Sequence, residues 1–141
     1  MIVKQLSVFL ENKSGRLTEV LETLGKQNLQ VKASTIADTS EFGILRMIVN
    51  EPEKALQILK INGFTANLTD VLSIATPSNS ALFAKAIRLL SDESISIEYL
   101  YSFSAGDKEI LILRTDDIEK AIVTFQKHKM TLMKASDLYS F

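Results

Sequence analysis

The sequence predicts an α+β protein made of two βαββαβ units in tandem. Two observations carry this prediction. The chain matches itself at an offset of 66 residues without a gap, and each copy runs through the same order of strand-like and helix-like apolar spacings. Leu17, Val20, Leu21 and Leu24 recur as Phe83, Ala86, Ile87 and Leu90, and Leu29 and Val31 recur as Ile95 and Ile97. Ile44 and Leu45 recur as Ile110 and Leu111, and Glu53-Lys54-Ala55-Leu56 recurs as Glu119-Lys120-Ala121-Ile122. So long a period lies outside the range of short solenoid repeats. A lone unit of this size buries only roughly 60% of its unfolded surface, so two units packed together are favoured over one.

Each element has a local reason. Residues 2–10 alternate Leu6, Val8 and Leu10 with polar Gln5 and Ser7, the period of a half-buried strand. The turn formers of residues 11–16 follow. Leu17, Val20, Leu21 and Leu24 then form one stripe of an amphipathic helix, with Asn12 or Ser14 as its N-cap. Residues 29–37 alternate again, Asp38 to Glu41 reads as a hairpin turn, and residues 42–49 are apolar on both faces except Arg46, as in a central strand. Pro52 suits the first turn of a second helix, Ala55, Leu56 and Leu59 give its stripe, and Gly63 ends it. Residues 64–68 make a short fourth strand. The second copy repeats the course with strands at 70–76, 94–103, 108–115 and 130–136 and helical stripes led by Phe83 and Ile118; residues 137–141 read as a tail. This is the ferredoxin-like split arrangement. The expected domains are residues 1–69 and 70–141. No Gly/Ser/Pro linker lies between them, so rigid packing is expected: side by side, through the second strands, into one antiparallel sheet with four helices on one face.

Composition narrows the function classes. Of 141 residues, 46% are hydrophobic and 23% charged, and the net charge is −1. These values are ordinary for a globular domain and lack the basic stripe of a nucleic-acid binder. No apolar run is long enough to span a membrane, and the first residues interleave Lys4 with apolar side chains, unlike a signal peptide. Zero cysteines exclude disulfides and thiol chemistry and fit a cytoplasmic protein. The one histidine, His128, falls in the last turn of a helix, where the dipole favours it. No phosphate-binding Gly loop, nucleophile elbow or metal-ligand spacing occurs. Asp107, Asp116 and Asp117 read as ordinary acids at turns and a helix start. No enzyme, cofactor or metal is expected.

The loop Asn12-Lys13-Ser14-Gly15-Arg16-Leu17 stands out. Gly15 permits a tight turn and close approach. The helix that starts there turns free N–H groups and the positive end of its dipole to the loop, a ready place for a carboxylate. Asn12 offers a donor and an acceptor, as an amino acid requires. A plain helix cap would account for the same residues.

With Asn12, Gly15 and Leu17 in an N-x-x-G-x-L loop, the βαββαβ order and the tandem repeat, the whole chain resembles the ACT domain family, in its free-standing tandem form. Ile95-Ser96-Ile97-Glu98-Tyr99-Leu100-Tyr101 also looks like the second strand of such proteins. The resemblance implies a non-catalytic regulatory module that binds an amino acid at the seam of its two units and acts on a metabolic enzyme or another partner, with homodimers compatible. It sets Asn12, Lys13, Ser14, Gly15, Arg16 and Leu17 against Ser96, Ile97 and Glu98. A weaker second site sets Ser78, Asn79, Ser80 and Ala81 through Phe83 against Gln30, Val31 and Lys32. There Asn12 has become Ser78 and Gly15 has become Ala81, with Pro77 stiffening the approach, so one good site and one degenerate site per chain are expected. Lys32 and Glu98 would pair or bracket a zwitterion, or stand in solvent as ordinary strand charges; Tyr99 and Tyr101 would pack or wall a pocket. The alternative reading is a ligand-free assembly module of the same fold.

Overall fold

The computed structural model describes residues 1–11, 13–38 and 42–141. Asn12 and most of the expected turn after Asp38 lie outside the described residues. The chain divides into two compact units: a first, Lys4–Thr69, and a second, Asp70–Phe141 together with Met1–Val3.

The first unit uses β1 (Val3–Glu11), α1 (Arg16–Gly25), β2 (Val31–Asp38), β3 (Phe42–Val49), α2 (Pro52–Ile61) and the start of β4 (Thr65–Pro77). Its strand order is β2-β3-β1-β4. The period-2 pattern does what it predicts: Leu6, Val8 and Leu10 of β1 and Leu45, Met47 and Val49 of β3 turn to one face. There they meet Val20 and Leu24 of α1 and Ala55 and Leu59 of α2, all buried. Pro52 opens α2. Gly63, at φ +84°, lets the chain reverse so that Phe64 N–H donates to the Leu59 carbonyl at 2.9 Å.

The second unit uses the rest of β4, then α3 (Ser80–Asp92), β5 (Ile97–Ala105), β6 (Lys108–Thr115), α4 (Ile118–Lys127), β7 (Thr131–Leu132) and α5 (Ala135–Tyr139). Its order is β7-β4-β6-β5, the same path as in the first unit. Leu72, Ile74, Leu111 and Leu113 pack against Ala86, Leu90, Ala121 and Phe125. The β1–β3, β2–β3, β4–β6, β4–β7 and β5–β6 ladders are antiparallel. The α+β class with two βαββαβ units is therefore as expected.

Three local expectations fail. The fourth strand of copy one and the first of copy two are one continuous 13-residue strand, β4, with no glycine or proline to interrupt Leu68-Thr69-Asp70-Val71. The expected ladder through the second strands does not form: β2 bonds to β3 and β5 to β6, and each ends the order of its own unit. The last strand shrinks to two residues and the tail folds into α5. The Asp137 carboxylate accepts from the Lys134 N–H at 2.8 Å, which caps that helix, and Leu138 is fully buried. The Phe141 ring meets Phe103 edge-on at 5.8 Å. Phe103 pairs with Ile110, one residue out of step with the core-facing Leu111, so the chain end lies on the face away from α3 and α4.

Candidate ligand site

The loop after β1 folds as an open turn onto α1. Lys13 N–H donates to the Glu11 carbonyl at 2.7 Å, and Glu19 N–H to the Gly15 carbonyl at 3.0 Å. Gly15 precedes the helix in the left-handed region, φ +89°, with no side-chain hydrogen bond to cap it. Ser14 is thus not the cap that the sequence suggests; the turn puts glycine at that position.

A cavity of about 260 Å³ opens beside this turn, within the first unit. Lys13, Arg16 and Leu17 line it, and Ser14 and Gly15 form the adjoining turn. The pairing Leu10↔Gly43, together with Asp38↔Gly43, brings in residues that the sequence reading missed: Leu10 and Glu11 from β1, Ile36 and Asp38 from β2, Gly43 from β3. The lining alternates in charge. Lys13 Nζ lies 2.9 Å from Glu11 and Arg16 Nη1 lies 2.8 Å from Glu19. The hydrogen bond from Lys13, its positive charge and that of Arg16 hold the Glu11 carboxyl below the usual carboxylate range. Leu10, Leu17 and Ile36 supply apolar wall. The lining thus sets two cations and two carboxylates around an apolar wall.

The matching turn in the second unit is built differently. Asn79 caps α3 and accepts from Ala81 N–H at 2.8 Å and Leu82 N–H at 3.3 Å. Its cavity, about 360 Å³, is lined by Ser78, Asn79, Ser80, Phe83, Ala84 and Glu109. Lys13 and Arg16 have become Asn79 and Leu82 and Gly43 has become Glu109, so this lining holds a carboxylate and no cation. Ala81 stands at the cap-consumed position behind it.

The strand residues expected opposite these loops have partners in their own units. Ser96 N–H donates to Asp116 Oδ1 at 3.0 Å, and Glu98 accepts from Arg114 Nε at 3.1 Å. Ile97 packs against the second core. Gln30 N–H donates to Asn50 Oδ1, and Val31 pairs with Val49. Tyr99 and Tyr101 are half-buried on β5, opposite Arg114 and Ile112. Among the described residues no helix is long and apolar enough to cross a membrane, and no group of three or more His, Cys, Asp or Glu could hold a metal.

Strand order and internal repeat together define a duplicated ferredoxin-like module. The sequence matches the ACT domain pair across residues 1–141, and the chain belongs to that family. It is similar to protein BT0572 from Bacteroides thetaiotaomicron, with 46% identity and a TM-score of 0.96 over 100% of this chain and 98% of that one. It also shares its fold with the regulatory subunit of aspartate kinase from Thermus thermophilus, at 16% identity and a TM-score of 0.65 over 89% of this chain and 93% of that one. The corresponding subunit from Thermus flavus gives 15% and 0.60 over 88% and 90%. No curated protein matches the sequence.

Proposed function

We propose that this chain is a non-catalytic regulatory module that binds one amino acid per chain in the first-unit loop cavity and passes that state to a metabolic enzyme. The observation that carries the reading is the cavity between Lys13, Arg16, Glu11 and Asp38, beside a helix whose N-cap residue is Gly15, which has no side chain to cap with. The ligand carboxylate takes Lys13 and the α1 N–H groups, its ammonium takes Asp38 or Glu11, and its side chain lies on Leu17 and Ile36. The second loop, with its N–H groups held by Asn79, is the degenerate counterpart. The regulatory role leans on family membership and on fold relatives that are regulatory subunits of a kinase. A ligand then acts by binding one conformation better than another.

Isothermal titration with the twenty amino acids tests this. Saturable binding near one equivalent per chain is expected, with Kd in the micromolar to low-millimolar range, about −8 to −4 kcal/mol. Gly15→Val, which strains the left-handed turn, should abolish it. Two equal sites per chain, or no binding by any amino acid, would sink the proposal. The assembly reading has its own support in the edge strand β2, which exposes Val31 and Ile36; it predicts ligand-independent oligomers that Gly15→Val leaves intact.

A further inference from the structure

The second unit has another cavity, of about 320 Å³, between α3 and the α4–β7 connection. It is separate from both loops in its chemistry. Leu82, Leu89 and Met130 give apolar wall, while Lys85, Lys129 and His128 stand around it. Its lining contains no carboxylate side chain. Thr76, only 2% exposed, also lines it, and its Oγ1 has no hydrogen-bond partner. A buried hydroxyl without a partner is uncommon and calls for one. The volume falls at the lower end of small-molecule sites, about 300–1,000 Å³.

The first unit carries different side chains around the corresponding space. By the 66-residue offset, Leu82 corresponds to Arg16, Lys85 to Glu19, Leu89 to Thr23 and Met130 to Phe64. Arg16 lies over the Phe64 ring, with Cζ 5.3 Å from its centroid, and is tied to Glu19 at 2.8 Å. A guanidinium and its carboxylate therefore fill the gap between α1 and the α2–β4 connection. In the second unit the plug has shortened to leucine and the acid has become a lysine. What remains is an apolar slot with positive rim charge and a buried unpaired hydroxyl.

We infer that this slot binds a small carboxylate with a compact apolar body and no ammonium group. The carboxylate sits between Lys85 and Lys129, over the strand end that carries Thr76, and the body lies on Leu82, Leu89 and Met130. With no acidic side chain in the lining, an amino acid's ammonium finds only like charge there, so the slot prefers the acid to the amino acid of the same skeleton. The inference does not rest on the loop site.

The test is a nitrogen-15 NMR titration of the full chain with 4-methylpentanoate, alongside leucine and 3-methylbutylamine. Saturable shifts at the amides of Leu89, Met130 and Thr131 are expected with the acid, at least tenfold weaker ones with leucine, and none with the amine. Lys85→Glu should weaken binding tenfold or more, and L82R/K85E, which rebuilds the first unit's plug, should abolish it. Should the double variant fail to fold, the single exposed Lys85 change and the wild-type map still decide. Non-saturating shifts, an equal response to the amine, or shifts centred on residues 13–18 would overturn the inference; the last would assign the acid to the loop site instead.

Discussion

The two units share one strand order and one core pattern, yet they differ at the same two places. In the first unit the loop is open and charged and the space beside α1 is plugged by Arg16; in the second the loop is capped by Asn79 and the space beside α3 is open. A repeat can hold its scaffold fixed while each copy keeps a different opening, because the scaffold depends on apolar periodicity and the openings depend on a few residues at helix starts and turns. Asn79 in place of Lys13 satisfies two backbone donors that a ligand would otherwise meet. Leu82 in place of Arg16 removes an ion pair and leaves a slot. Three substitutions (at the positions of Lys13, Arg16 and Glu19) account for most of the difference.

The scaffold half of this comparison breaks first if equivalent core positions differ in weight. Leu59 and Phe125 occupy the same place in the repeat, and both are fully buried. Phe125→Ala should lose about 4 kcal/mol and Leu59→Ala about 3, the transfer term plus the cavity left behind. Urea unfolding of each variant measures this from midpoint and slope. A loss below about 1 kcal/mol in one copy alone would mean that the two cores are not equivalent supports.

The turns come next. Gly15 sits at φ +89°, and a Cβ there would meet no atom within 4 Å. Gly15→Ala should therefore cost about 1–2 kcal/mol through backbone strain alone, with no clash. Ala81, its counterpart, is the second residue of a helix capped by Asn79 and carries no such strain. Asn79→Ala should cost about 1 kcal/mol by orphaning the Ala81 and Leu82 donors. If Asn79→Ala costs nothing, water replaces the cap and the second loop is less closed than its hydrogen bonds suggest. Differential scanning calorimetry on the two variants reads both effects.

Much of this was legible before any coordinates. The period-2 and period-3.6 patterns of Leu6-Val8-Leu10 and Leu17-Val20-Leu24 placed strands and helices, and the change from Gly15 to Ala81 marked the two loops as unlike. What the sequence hid is non-local. Asp38 and Gly43 join the first cavity only through the register of β2, β3 and β1, which no local spacing encodes. The continuity of β4 across Thr69-Asp70 is equally silent, since two extended segments in sequence read the same whether they are one strand or two. Residues 135–139 are too short for Ala135, Leu138 and Tyr139 to declare a helical period; the Asp137 cap and the burial of Leu138 decide the matter instead. The slot beside α3 was invisible because it is defined by what Leu82 no longer reaches.

The smallest expected effect concerns the charges of the open loop. Glu11 is held below the ordinary carboxylate value of 4.5 chiefly by its hydrogen bond from Lys13, then by the charges of Lys13 and Arg16. A carboxyl whose folded value is depressed contributes stability above its unfolded value and loses it as pH falls through the folded one. The contribution is therefore complete above about pH 5 and fades only in acid, and exposure to solvent keeps it small. Carbon-13 NMR titration of the Glu11 carboxyl should show its midpoint rise toward 4.5 in Lys13→Ala and rise less in Arg16→Gln. Its counterpart at the end of β4 is Pro77, so no such titration exists in the second loop, and Glu109, which accepts from the Ser104 hydroxyl at 3.0 Å, has no cation in that cavity to replace it. A Glu11 midpoint indifferent to Lys13 would mean that the ion pair is not formed in solution. The charge alternation separating the open loop from the capped one would then be weaker than the 2.9 Å contact implies.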